Sequence, residues 1–173
     1  MIKKNEKGIT LFISIIIMGI LLFISFAVVN IAIENSLFSS SGRDSQYAFY
    51  AADSGIECAL YWDSKFEPSK FATSTAGTIT CAGNPSIATG TQNPINGTST
   101  SSFIGGGGDV NPTSVFGFVM DQQGSNPMPY CAIVTVKKYY VGSNLMTYIK
   151  SRGYNTCDTS NPRRVERGVE VTY

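Results

Sequence analysis

Five residues in this chain have the type and spacing to do covalent chemistry: Cys58, Cys81, Cys131 and Cys157, and the glycine Gly8. None of the cysteines stands in a C-x-x-C pair, which removes the zinc-ribbon and thioredoxin-like motifs. An even cysteine count at wide spacing, outside the reducing cytosol, reads as two disulfides, with free buried thiols as the plain alternative. Four cysteines allow three pairings. A hairpin of 130–141 with 145–152 places Cys131 at its open end, where Cys157 can fold back to it. The expected pairs are therefore Cys131–Cys157, closing an about 27-residue loop worth about 3 kcal/mol, and Cys58–Cys81.

Gly8 matters for what lies on either side of it. A short cationic leader with Lys3, Lys4 and Lys7 precedes it, and Ile9 to Ile33 carries no charged residue. That 25-residue run makes about 37 Å of helix, enough to cross a hydrocarbon core of about 30 Å. A secretory signal peptide has a shorter apolar core and a small-residue cleavage site after it, and this chain has neither. Lysines before the span and Glu34 as the first charge after it keep the leader in the cytoplasm and put the rest outside. The junction predicts a membrane-inserted precursor cut on its cytoplasmic side.

Other chemistry is poorly supplied. There is no histidine, which removes His-based triads, His general bases and the commonest zinc ligand. No G-x-S-x-G is present, and Asp53 and Glu57, one helical turn apart, read as solvated helix acids rather than a catalytic pair. Gly105–Gly108 lacks the Gly-Lys-Ser/Thr that completes a phosphate loop. Asp121, Gly124 and Asn126 lack the spacing of a calcium loop. Asn96-Gly97-Thr98 fits a glycosylation sequon. No catalytic, metal-binding or cofactor-binding residue is assigned. The net charge of +1 points to no nucleic-acid or acidic partner. Lys137–Lys138 and Arg163–Arg164 read as solvated strand ends.

The elements that carry these residues follow from pattern. Residues 34–64 continue the helix, with Ala48, Ala51, Ala52, Gly55, Cys58, Ala59 and Trp62 at three- and four-residue steps on one face of small side chains. Ser39–Gly42 are poor helix formers and mark an expected weak point. Glu67-Pro68 ends the helix. Residues 65–114 are a variable, loop-rich region with one short strand expected at Thr78–Cys81. Residues 115–173 read as strands at Val115–Met120, Tyr130–Val141, Leu145–Arg152 and Arg164–Tyr173. In the last, Val165, Val169, Val171 and Tyr173 alternate with Glu166, Glu170 and Thr172, giving one buried and one wet face. The expected fold is α+β: a long N-terminal helix, its apolar half membrane-spanning, packed by its outer half on a C-terminal antiparallel sheet.

Lys7-Gly8-Ile9-Thr10-Leu11, the apolar helix and the closing sheet resemble type IV pilins and type II secretion pseudopilins. Gly42–Gly55, with Arg43-Asp44 leading into Ala51-Ala52-Asp53-Ser54-Gly55, is similar to the post-membrane segment of PilX-type minor pilins. The ends 151–153 and 163–173 resemble the close of such proteins. The resemblance covers both ends of the chain and not the middle, 66–114. It implies a pilin-like fold, a prepilin peptidase cut after Gly8 and methylation of Ile9. It also implies partners: the membrane before assembly, other pilin subunits through the helix, an inner-membrane assembly platform, and a surface ligand of unknown kind. The expected place is the inner membrane with the C-terminal domain outside, then an extracellular pilus. Pilins usually carry a glutamate five residues after the cut; here Ile13 stands there, which implies a minor subunit at the tip. The family's mid-helix proline is missing too. The competing class is a signal-anchored extracytoplasmic binding domain that never enters a filament.

Overall fold

A computed structural model describes residues 7–72, 77–83, 86–93, 95, 101–105, 111–120 and 129–173. The leader lysines Lys3 and Lys4, the sequon at Asn96, Gly106–Gly108, and Asp121 with Gly124 and Asn126 lie outside the described residues. One helix, α1 (Lys7–Ser64), precedes β1 (Thr78–Ile79), β2 (Ile87–Ala88), β3 (Thr113–Met120), β4 (Tyr130–Val141), β5 (Asn144–Tyr154) and β6 (Glu166–Thr172). The chain divides into two compact units, Met1–Gly42 and Arg43–Tyr173.

In the first unit the helix is apolar on all sides, and its large side chains from Ile9 to Phe38 are exposed; Phe23 reaches 80%. A helix apolar all round needs an apolar surrounding that the described residues do not supply. Its hydroxyls are satisfied locally: Ser14 Oγ donates to the Thr10 carbonyl and Ser25 Oγ to that of Leu21, both at 2.8 Å. The expected weak point at Ser39–Gly42 is helical. Ser40 Oγ donates to the Leu37 carbonyl at 2.9 Å, the local bond by which serine tolerates a helix interior.

In the second unit the expected small-residue face is the buried one. Ala48, Ala51, Ala52 and Ala59 are fully covered. The reason is backbone proximity. A Cβ added at Gly153 of β5 would lie 2.1 Å from the Ala48 carbonyl oxygen and 2.3 Å from the Ala52 nitrogen. One added at Gly55 would lie 2.1 Å from Ser151 Oγ. Helix and sheet touch where one partner is a glycine and the helix side chains are small, so α1 packs on the sheet through its small face.

The sheet has the order β3-β4-β5-β6, antiparallel throughout. β4 and β5 form the expected hairpin, with Val141 opposite Asn144 and Gly142 at φ 64° in the turn. Phe116, Phe118, Val134, Val136 and Ile149 face the helix, and Phe71, Ile79, Ile87 and Ile104 close the core from the connecting region. Val169 and Val171 pack onto it from β6, while Glu166, Glu170 and Thr172 are exposed, as the alternation requires.

Two expectations are corrected. The opposite face of the sheet is not wholly wet: Cys131, Ile133 and Tyr154 are buried there with Ile95 and Cys157, and Val115 and Val119 pack against them. The connecting region is also more structured than its composition suggests. β1 is confined to Thr78–Ile79 and pairs with β2, which lies inside the stretch read as loop. Gln92 bridges Ser101, and Phe103 bridges Val115 at the edge of β3. Short backbone pairings of this kind satisfy buried amides without any hydrophobic period.

Candidate functional site

Gly8 and Ile9 lie in the first turn of α1, and Ile9 is exposed. The stretch from Ile9 is apolar and long enough to cross a membrane, and none of its most apolar part is buried. It is a candidate membrane anchor. Ile13 is among its exposed side chains.

Cys58 on the helix is bonded to Cys81, with Cα atoms 5.8 Å apart, as expected from sequence. The bond closes the connection between the helix and β1. Beside it, Trp62 Nε1 donates to the Thr80 carbonyl at 2.9 Å and the Trp62 ring stacks on Phe66. The expected Cys131–Cys157 bond is not formed; both are buried free thiols. The strand register does bring them together. Cys131 pairs with Tyr154, and the Cys157 amide donates to the Pro129 carbonyl at 3.1 Å. The two thiols hydrogen-bond to each other, which pushes Cys131 up, with burial adding to it, and holds Cys157 below the usual thiol range.

A second polar site was not foreseen. Lys138, read from sequence as a solvated end, is buried and lies 2.6 Å from Asp63 Oδ1, with side-chain exposures of 6% and 4%. Thr147 accepts from Lys138 Nζ at 2.9 Å, and the Tyr173 hydroxyl donates to Asp63 Oδ2 at 2.6 Å. Ser69 Oγ also donates to Asp63. Burial alone would push the Asp63 carboxyl up. Hydrogen bonds from Lys138, Ser69 and Tyr173, and the charge of Lys138, outweigh it and hold the carboxyl below the usual aspartate value. The sequence signal was parity, because Lys138 continues the inward series Val134 and Val136. Its neighbour Lys137 is exposed. Arg163 is exposed too, but Arg164 is half-buried with its guanidinium 3.9 Å from the Tyr154 ring centre.

No protein-family model, curated protein or solved structure matches this chain. Its site must be argued on residues alone. Among the described residues no group of three or more His, Cys, Asp and Glu could hold a metal ion. Asp53 and Glu57 are exposed on the helix. The ion-pair site is enclosed and fully partnered, an arrangement suited to bracing rather than to binding. Among the described residues, the large side chains of the apolar segment of α1 are all exposed.

Proposed function

We propose that this chain is a structural minor subunit of a type IV pilus or related secretion filament, acting in initiation or at the tip. The observation that carries the reading is the exposure of every large side chain from Ile9 to Phe38 on a helix that follows a cationic leader and Gly8. Such a surface needs lipid first and other apolar helices afterwards. In this reading the precursor sits in the inner membrane with its head outside. Prepilin peptidase cuts after Gly8, Ile9 becomes the methylated terminus, and an assembly platform transfers the subunit to the filament. The α+β head, a helix packed on an antiparallel sheet, agrees with a pilin-like fold. Adhesion, motility, DNA uptake and secretion are all compatible roles.

The tip assignment rests on Ile13. A repeating subunit needs its terminal amine neutralised by a neighbour, because an unpaired charge in an apolar core costs several kcal/mol. Glu34 lies about 37 Å along the helix from Ile9, too far to serve in the same contact.

Mass spectrometry of protein from its native host tests the processing. The expected terminus is a methylated Ile9, abolished in Gly8→Val; an intact leader in a strain with active prepilin peptidase would leave the plain signal anchor. Filament cryo-EM tests the place, and finding the protein along the whole shaft would refute the tip.

A further inference from the structure

The pair Cys131 and Cys157 takes no part in the filament reading and is argued on the head alone. Both sulfurs lie in the apolar cluster on the sheet face away from the helix, with Ile95, Ile133 and Tyr154. Backbone pairing holds their separation. Cys131 stands in β4 opposite Tyr154, and the Cys157 amide is bonded to the Pro129 carbonyl, two residues before Cys131. The register thus places both thiols in one buried cluster.

They are not equivalent. Cys131 is completely covered, whereas Cys157, in the segment after β5, keeps 5% of its surface. A third group sets the charge. Arg164 lies over the Tyr154 ring, and its Nε is buried without a hydrogen-bond partner among the described residues. A buried guanidinium nitrogen with no acceptor there, whose charge acts on both thiols, is an arrangement suited to an anion. Its field favours the anionic form at both sulfurs, and the Cys131 S–H adds a donor to Cys157.

We propose that Cys157 and Cys131 form a thiol–disulfide exchange site, with Cys157 the attacking sulfur, Cys131 the resolving one and Arg164 the residue that positions the charge. The co-reactant is a disulfide of the small-molecule or oxidoreductase class. The Cys157 thiolate attacks one sulfur of R–S–S–R, forming a mixed disulfide and releasing one thiolate. Cys131 gives its proton to that thiolate, attacks the Cys157 sulfur and releases the second. The two protein thiols are oxidised by two electrons, and the co-reactant is reduced to two thiols. The Cys58–Cys81 bond is untouched, so one head carries a standing cross-link and an exchangeable one.

The full chain in detergent, treated with oxidised glutathione, is expected to lose about 2 Da and yield a Cys131–Cys157 peptide on non-reducing mapping. Iodoacetamide on the reduced pair should label Cys157 before Cys131. Arg164→Gln should slow Cys157 labelling at pH 7 about tenfold and move the midpoint of its rate–pH profile upward, with Arg164→Lys restoring most of the rate. Labelling of Cys131 first, an unmoved profile in R164Q, or glutathione trapped on Cys157 with no internal cross-link would each overturn the proposal. The wild-type labelling order decides the matter even if R164Q folds poorly.

Discussion

The two halves of α1 obey the same helical geometry and answer to different neighbours. From Ile9 to Phe38 the helix carries isoleucine, leucine and phenylalanine on every side, all exposed. From Ala48 to Ala59 its packed face is mostly alanine and glycine, with Ile56 the one large side chain among them, and that face is closed. Size and burial run opposite to the usual expectation, in which large apolar residues mark the interior. Big side chains suit a fluid apolar medium that fills in around them. Small ones suit a rigid sheet whose backbone, at Gly153, comes within a Cβ length of the helix backbone. Side-chain size therefore reports what kind of surface the helix meets.

Several substitutions would break or sharpen this contrast. The largest effect is expected at the end of the packed half, where Asp63→Ala leaves the Lys138 ammonium buried without its partner. The loss is about 3–5 kcal/mol, read as a fall in the denaturation midpoint of the full chain in detergent. Lys138→Met in the same background should recover much of it, since an apolar pair removes the uncompensated charge. In the exposed half, Leu21→Arg should cost about 2.5–3.5 kcal/mol of membrane insertion while leaving the head's melting unchanged. A head that melts earlier in L21R would mean that the two halves are not independent. Gly153→Ala should destabilise the head by about 1–3 kcal/mol, because the added carbon meets helix backbone rather than a movable side chain. Alanine at Gly19, where an added Cβ meets nothing within 4 Å, should be silent in head stability. Smallest of all is Lys150→Ala: the Lys150–Glu170 pair lies open on the sheet surface, and no change in melting temperature is expected at physiological salt.

Acid should act through Asp63. Its carboxyl titrates below the unfolded value when native, so it stabilises the head fully above about pH 4. That stabilisation is lost as pH falls through the lower native value. Tyr173 acts at the other limb. Burial and its bond to Asp63 push its phenol up, so its contribution is complete below about pH 10 and lost above it. A melting profile flat from pH 3 to 5 in the wild type, indistinguishable from that of Asp63→Asn, would contradict this.

Much of the architecture was legible before any coordinates. The bounds of β4 follow from a stretch rich in β-branched and aromatic residues, and the small face of α1 from three- and four-residue spacing. Cys58–Cys81 followed by elimination, as the pair left once Cys131 is matched with Cys157. What escaped depends on distant partners. Lys138 looks like surface beside Lys137 until strand parity turns it inward, and nothing local announces that Asp63 will meet it. β2 and the bridges near Gln92 and Phe103 lie in polar sequence, where backbone pairing and single buried side chains such as Ile87 and Ile104 replace a hydrophobic period. The expected second disulfide had its geometry read correctly, in that the hairpin brings Cys131 and Cys157 together; the bond itself is redox chemistry, which spacing does not encode. The expected cleavage site at Gly8 is the reverse case: it is argued from sequence, and in three dimensions Gly8 is only part of a helical turn.

The Asp63 cluster has a further consequence in the order of folding. Its members come from α1, β4, β5 and the residue after β6, separated from Asp63 along the chain by 75, 84 and 110 positions. Contacts so remote carry a high loop-closure entropy, so they are expected to close late, after the local pairings within the sheet. A bond made after the transition state changes the rate of escape and not the rate of arrival. The cluster therefore works as a late-closing latch. It leaves refolding of the head at its own pace and lengthens the lifetime of each folded copy.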